Sequence, residues 1–200
     1  IMPSLVGSEM CIRDRPELAQ NVASHYNQRQ DVGTEARKNS PIIGLKRFNN
    51  WVKSALIRLY APLESDDQKG IRILDLGCGK GGDLRKWDQH HVSEMVMLDI
   101  AEVSIQHARS RYNESSFRWD AHFFVGDGFR TPLDQLVPAQ LLEPMFDVVT
   151  MQFCLHYGWD TEENARKMLT NVAKWLRPGG TFIGTIPVSY THLRAHETRH

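Results

Sequence analysis

The stretch Ile73-Leu74-Asp75-Leu76-Gly77-Cys78-Gly79-Lys80-Gly81-Gly82-Asp83-Leu84 constrains this chain more than any other. Ile71, Ile73, Leu74 and Leu76 predict a buried strand that runs into a glycine-dense turn and then an amphipathic helix start. A strand that breaks into Gly-x-Gly before a helix is a nucleotide-cofactor loop: glycines let the backbone turn tightly and approach a ligand, and free amides face it. A lone Gly-x-Gly is also an ordinary turn, so the downstream acids matter. Met95-Val96-Met97-Leu98-Asp99 reads as a second buried strand ending in an acid, at the spacing from the glycines that reaches a ribose diol. A third strand, His122-Phe123-Phe124-Val125, ends in Gly126-Asp127. Acids at successive strand ends converge on one edge of a doubly wound sheet.

Two hundred residues allow one domain with a sizeable core. Lys and Arg number 24, as do Asp and Glu, so bulk charge points to no polyanion, and any such site must be local. The three cysteines, Cys11, Cys78 and Cys154, form no metal-ligand pattern, and free thiols in a reducing compartment are expected, with no metal. No apolar run has the length of a membrane span, and the start lacks the basic and apolar blocks of a signal peptide. The two ends, Ile1 to Asp14 and Val188 to His200, carry no helical or strand period and resemble peptides translated from sequencing-library adapters. The expected division is a foreign flank at 1–15, a partial domain at 16–187 and a foreign flank at 188–200.

Ser24 to Arg37 is polar and reads as a solvated arm or loose helix. Asn39-Ser40-Pro41 is a helix start, followed at helical spacing by Ile42, Ile43, Leu45, Phe48, Trp51, Val52, Ala55, Leu56, Leu59 and Tyr60, so Trp51 is expected in the core. Further helices are predicted at Gly81 to Trp87, at Val103 to Tyr112, and after the capping run Asp160-Thr161-Glu162-Glu163. Phe146 to Met151 and Thr181 to Ile186 complete the strands, separated from the last helix by Arg177-Pro178-Gly179-Gly180. The alternation gives an α/β fold with a doubly wound, mostly parallel sheet.

The acids decide the cofactor class. A dinucleotide loop holds a pyrophosphate and carries a third glycine, whereas here Asp75 precedes the glycines and Asp83 follows them, which suits a cationic ligand. The spacing of a Walker A loop is absent. Asp75-x-Gly77-x-Gly79 resembles the first motif of the class I S-adenosylmethionine-dependent methyltransferases. The resemblance implies a Rossmann-like sheet normally closed by two more strands, neither of which precedes the odd tail, so the fifth strand is expected to keep an unpaired edge. It also implies ribose contact by Asp99 and adenine contact by Asp127.

Four segments narrow the acceptor: Ser24-His25-Tyr26-Asn27; Arg47-Phe48-Asn49-Asn50-Trp51-Val52-Lys53-Ser54; Gly79-Lys80-Gly81-Gly82-Asp83-Leu84-Arg85-Lys86-Trp87; and Met151-Gln152-Phe153-Cys154-Leu155-His156-Tyr157. Together they are similar to the eukaryotic mRNA cap guanine-N7 methyltransferases, over roughly Val22 to Pro187. Carried over by position, S-adenosylmethionine contacts fall on Lys53, Gly77, Asp99, Asp127, Gln152 and Tyr157. Cap contacts fall on Asn49, Asn50, Lys80, Lys86, Arg111 and His156. The resemblance further implies a capped mRNA 5′ end as partner, an activating or capping-machinery subunit, and a nuclear address.

Lys80, at the predicted helix start, suits a site that receives an anion, because the macrodipole there disfavours a cation. Lys86 can instead pair with Asp83, and Arg111 can cap its own helix. Guanine N7 carries a lone pair and no proton, so no catalytic acid or base is expected, and orientation carries the rate. Rival readings are a small-molecule methyltransferase on the same fold, an inactive cofactor-binding fragment and an NAD-linked oxidoreductase.

Overall fold

The computed structural model describes residues 16–28, 41–63, 65 and 69–187. The proposed foreign flanks, the helix-start pair Asn39-Ser40 and the end of the polar arm lie outside them. The elements are α1 (Pro16–Gln28), α2 (Ile43–Tyr60), β1 (Ile71–Leu76), β2 (Val92–Asp99), α3 (Glu102–Asn113), β3 (Asp120–Val125), α4 (Ala139–Leu142), β4 (Phe146–Gln152), α5 (Glu162–Trp175) and β5 (Leu176–Thr185). Single 3-10 turns occupy Leu84–Gln89, Leu133–Gln135 and Leu155–Gly158.

The five strands form one parallel sheet in the order β3-β2-β1-β4-β5. The chain direction across the sheet reverses between β1 and β4, and such a switch point leaves a crevice at the carboxyl ends of the strands. Alternation along each strand sorts the side chains to two faces. Ile71, Ile73, Met95, Met97 and Val148 pack with Ile57 of α2 and Ile105 of α3 on one face. Leu74, Leu76, Val96, Leu98 and Val149 pack with Leu142 of α4 and with Met168, Val172 and Trp175 of α5 on the other. Both faces are therefore covered, as the near-continuous apolar strands require. Each fully buried aliphatic side chain contributes about 1.5–3 kcal/mol.

Three expectations differ from the structure. The segment after the glycine loop is a 3-10 turn, with Lys86 N bonded to Asp83 O and His90 N to Trp87 O, and not an α-helix. Gly81 at φ 67° interrupts helical backbone just before it, so Lys80 lies in a turn and the macrodipole argument for it falls away. Trp51 is 65% exposed, and Leu45, Phe48, Leu59 and Tyr60 are exposed with it. The apolar positions of α2 wrap too far around the helix for one contact face, and the described residues bury only Ile57 of it. β5 begins before its expected start, at Leu176, absorbing Pro178-Gly179-Gly180 through a register shift between Phe146 and Val148 with Gly179 at φ 77°.

Candidate functional site

The carboxyl ends of β1, β2, β3 and β4 meet at a cavity of about 560 Å³. Its floor is the glycine loop. Gly77 N and Cys78 N both donate to Leu98 O, at 2.8 and 3.1 Å, and Gly79 N donates to Asp99 Oδ2 at 2.8 Å. Gly77, at φ 75°, would set a side-chain Cβ 2.7 Å from Cys154 Sγ, whereas a Cβ on Gly79 would meet nothing within 4 Å. The loop is thus fixed from beneath and open above, where a ligand approaches.

Three carboxylates frame it. Asp75, on β1, is 3% exposed; burial pushes its pKa well above the ordinary carboxylate value, Asp83 and Asp99 add repulsion, and Lys53 opposes them. Asp99 takes Gly79 N on one oxygen and Ala101 N, at 2.8 Å, on the other. Burial raises its pKa too, against the lowering effect of those two amides. A site that holds buried negative charge without full compensation favours a cationic ligand and disfavours a pyrophosphate. Asp127, just beyond β3, closes its own turn by accepting from Phe129 N and Arg130 N at 3.1 and 3.3 Å.

All six residues expected at the cofactor line this cavity: Lys53, Gly77, Asp99, Asp127, Gln152 and Tyr157. Lys53 donates to Asp83 Oδ2 at 2.9 Å, so its charge is shared with the loop. Gln152 is held between Thr150 Oγ1 at 2.9 Å and the Thr185 hydroxyl at 3.1 Å. Thr185 also fixes Phe153, which sits at φ 59° with its amide 2.8 Å from Thr185 Oγ1. A phenylalanine in that region costs about 1–3 kcal/mol and turns the chain sharply at the cavity wall.

Of the six expected cap contacts, Asn49, Asn50, Lys80 and Arg111 line the same cavity. Lys86 and His156 do not, although each touches a residue that does. Lys86 Nζ is tied to Asp83 Oδ1 at 2.7 Å, Gly82 O at 3.1 Å and Asn50 Oδ1 at 3.2 Å. The His156 ring lies 4.1 Å from the Tyr157 ring, and burial lowers its pKa, favouring the neutral imidazole.

Sequence reasoning left several lining residues outside its site. Lys46 stands on the Asn49-Asn50 face of α2, a helical neighbour spacing that was visible. Tyr26 and Val22 bring α1 over the cavity; Tyr26 Oη lies 3.3 Å from Tyr157 Oη, and Asn27 Oδ1 accepts from Val103 N at 3.1 Å. Arg130 binds Asp127 and Asp160, and only the first partner, three residues back, is local in sequence.

Comparison with known proteins agrees with this architecture. The family model described as the mRNA (guanine-N(7))-methyltransferase domain matches residues 10–200. An mRNA cap guanine-N(7) methyltransferase of Schizosaccharomyces pombe is 51% identical over 84% of this chain and 46% of its own length. The mRNA cap guanine-N(7) methyltransferase 1 of Arabidopsis thaliana is 45% identical over 84% of this chain and 45% of its own. The chain therefore spans about half the length of the curated relatives it matches. Among solved structures, the DhpI-SAM-HEP complex aligns with a TM-score of 0.58 at 16% identity, covering 94% of this chain and 74% of that one, a likeness of fold alone. The glycine loop, the ordered strand-end acids and these matches agree: the chain belongs to the mRNA (guanine-N(7))-methyltransferase domain family.

Proposed function

We propose that the protein to which this chain belongs transfers a methyl group from S-adenosylmethionine to guanine N7 of a capped mRNA 5′ end. The observation that carries this reading is the single cavity lined at once by Gly77, Gly79, Asp99 and Asp127 and by Asn49, Asn50, Lys80 and Arg111. The residues fit the donor. Open space above Gly79 admits close backbone approach, and the buried acids Asp75 and Asp99 gain from a cationic neighbour. Asp99 keeps lone pairs for a ribose diol, and Asp127 for an exocyclic amine. Gln152 and Tyr157 line the remaining wall.

The bound donor supplies an electrophilic methyl group. Guanine N7 needs no deprotonation, so this chain's residues orient and hold charge. Asn49 and Asn50 offer amides to the acceptor, while Lys80 and Arg111 face its triphosphate. Tyr157 lines the cavity, His156, its pKa lowered by burial, packs against the Tyr157 ring, and neither transfers a proton. Orientation of this kind is worth up to roughly 10 kcal/mol. A nuclear location and a capping-machinery partner go with this reading. A small-molecule acceptor would leave the four polar and basic residues without a role.

The test incubates the full-length protein with labelled methyl donor and either capped or uncapped short RNA. Label on capped RNA alone is the expected result. Label on neither, or equally on both, rejects the reading.

A further inference from the structure

We propose that Arg130 is a positioning residue that ties the adenine-side acid of the cofactor site to the acceptor-side segment bearing His156 and Tyr157. The inference rests on the methyl-transfer reading above and deepens it.

Arg130 lies just past the end of β3, in the cavity wall. Its guanidinium forks. Nη1 donates to Asp127 Oδ2 at 3.0 Å; Nη2 donates to Asp160 Oδ2 at 2.7 Å and to Tyr157 O at 3.3 Å. The first contact is local. The other two join segments separated in sequence by 30 and 27 residues. All three charged side chains are partly buried, at 21%, 18% and 18% exposure, which separates this group from a fully solvated surface pair.

The fork constrains both ligand sites at once. Asp127 Oδ1 is already committed to two main-chain amides, so Arg130 on Oδ2 fixes the carboxylate plane and leaves one direction free for a ligand amine. On the other side, Tyr157 is held by its carbonyl, with its ring against His156 and its hydroxyl by Tyr26. Asp160 anchors this arm: it also accepts from Asn164 Nδ2 at 3.0 Å, the first turn of α5. Burial pushes the Asp160 carboxyl up, but the hydrogen bonds from Arg130 and Asn164 outweigh it and keep the group ionised. A lysine supplies one point charge and cannot span both carboxylates in this geometry.

The experiment uses the full-length protein with Asp160→Asn, Arg130→Lys and Arg130→Ala. Donor affinity is measured by calorimetry, KM and kcat with capped short RNA, and hydrogen–deuterium exchange across residues 154–160. Asp160→Asn is expected to leave donor affinity unchanged and raise the acceptor KM about tenfold, the loss of one charge-assisted contact. Arg130→Ala is expected to weaken donor and acceptor alike and to speed exchange across 154–160. Arg130→Lys is expected to fail to restore the acceptor KM. Wild-type acceptor kinetics in Asp160→Asn, full rescue by Arg130→Lys, or faster exchange with unmoved kinetics each overturn the proposal. If the wild-type protein itself moves no methyl group, the functional reading fails; unchanged exchange in Arg130→Ala then separately rejects the tether.

Discussion

The main-chain amide of Gly79 donates to the Asp99 carboxylate across 2.8 Å, closing the glycine loop onto the end of the neighbouring strand. One side chain therefore shapes the loop and faces the cavity that the loop floors. Its second oxygen accepts from Ala101 N, the residue just before α3. The acid that a ribose would meet is also the acid that holds the receptor for the rest of the ligand.

Asp99→Ala should abolish donor binding for two reasons. It deletes the proposed ribose contact, and it leaves Gly79 N and Ala101 N without their acceptor, at up to about 1–3 kcal/mol for the buried Ala101 amide and less for Gly79, which faces the cavity. Asp99→Asn keeps one acceptor oxygen and should lose less. Calorimetry on the full-length protein should give a loss of about a hundredfold or more for the alanine variant and an intermediate loss for asparagine. Equal affinity in all three proteins removes Asp99 from the ribose.

Gly77 and Gly79 both have positive φ, yet they should respond differently to alanine. At Gly77 the added Cβ meets Cys154 Sγ at 2.7 Å and Cys154 Cβ at 2.8 Å. Overpacking of that kind costs about 1–3 kcal/mol on top of roughly 1–2 kcal/mol of left-handed strain. At Gly79 the Cβ meets nothing, so only the strain applies. Urea unfolding should rank Gly77→Ala as the less stable. Gly79→Ala should still lose donor affinity, because its methyl group occupies cavity space; a variant that binds normally would argue against close approach at this position.

What was legible in the sequence follows from locality. β1 and its glycines, Asp99 and Asp127 were readable because each sits at the end of an apolar run, where a parallel sheet gathers strand ends. The six cofactor candidates accordingly share one cavity. Arg130–Asp160 and Tyr26–Tyr157 were not readable, because those pairs are set by how the loop after β4 and the helix α1 fold back. Local pattern also misled. Gly81 takes a left-handed φ at the start of the helix expected from Gly81 to Trp87, where only a 3-10 segment forms, and apolar spacing along α2 could not say that Trp51 would stand exposed.

Donor binding should release protons. Burial raises the pKa of Asp75 and Asp99 in the ligand-free fold above the value of about 3.8 for the unfolded chain. Groups raised in this way favour folding at low pH, and that contribution is lost as pH climbs from the unfolded pKa through the folded one. A cationic ligand in the cavity, against Asp99 and near the buried Asp75 beneath the loop, opposes the shift, since it stabilises the carboxylates. Donor affinity should therefore rise with pH across the titration of these acids. Calorimetry in buffers of different ionisation enthalpy, repeated at pH values stepped upward from about 4, should register proton release from these acids within their titration range, and Asp75→Asn should reduce it. Proton release that is the same in the wild-type protein and in Asp75→Asn at every pH of the series would mean that Asp75 does not answer to the ligand's charge.

Lys80 and Lys86 flank the same glycine pair but should not weigh equally. Lys80 faces the cavity, whereas Lys86 points its charge at Asp83 and shares Asn50 Oδ1. Lys80→Ala should raise the capped-RNA KM by about tenfold, the loss of the one charge-assisted contact to a triphosphate proposed for it, with donor affinity unchanged. The penalty should shrink as salt rises, because screening weakens the wild-type contact as well. Lys86→Ala removes one of two cations from Asp83 and leaves Lys53 at 2.7 Å. Its effect should therefore reach the acceptor through Asn50 and be smaller and less sensitive to salt. Steady-state kinetics of both variants at low and high ionic strength make the comparison. If Lys86→Ala is the larger and more salt-dependent loss, Lys86 must leave Asp83 on acceptor binding, and the basic wall reorganises around the cap.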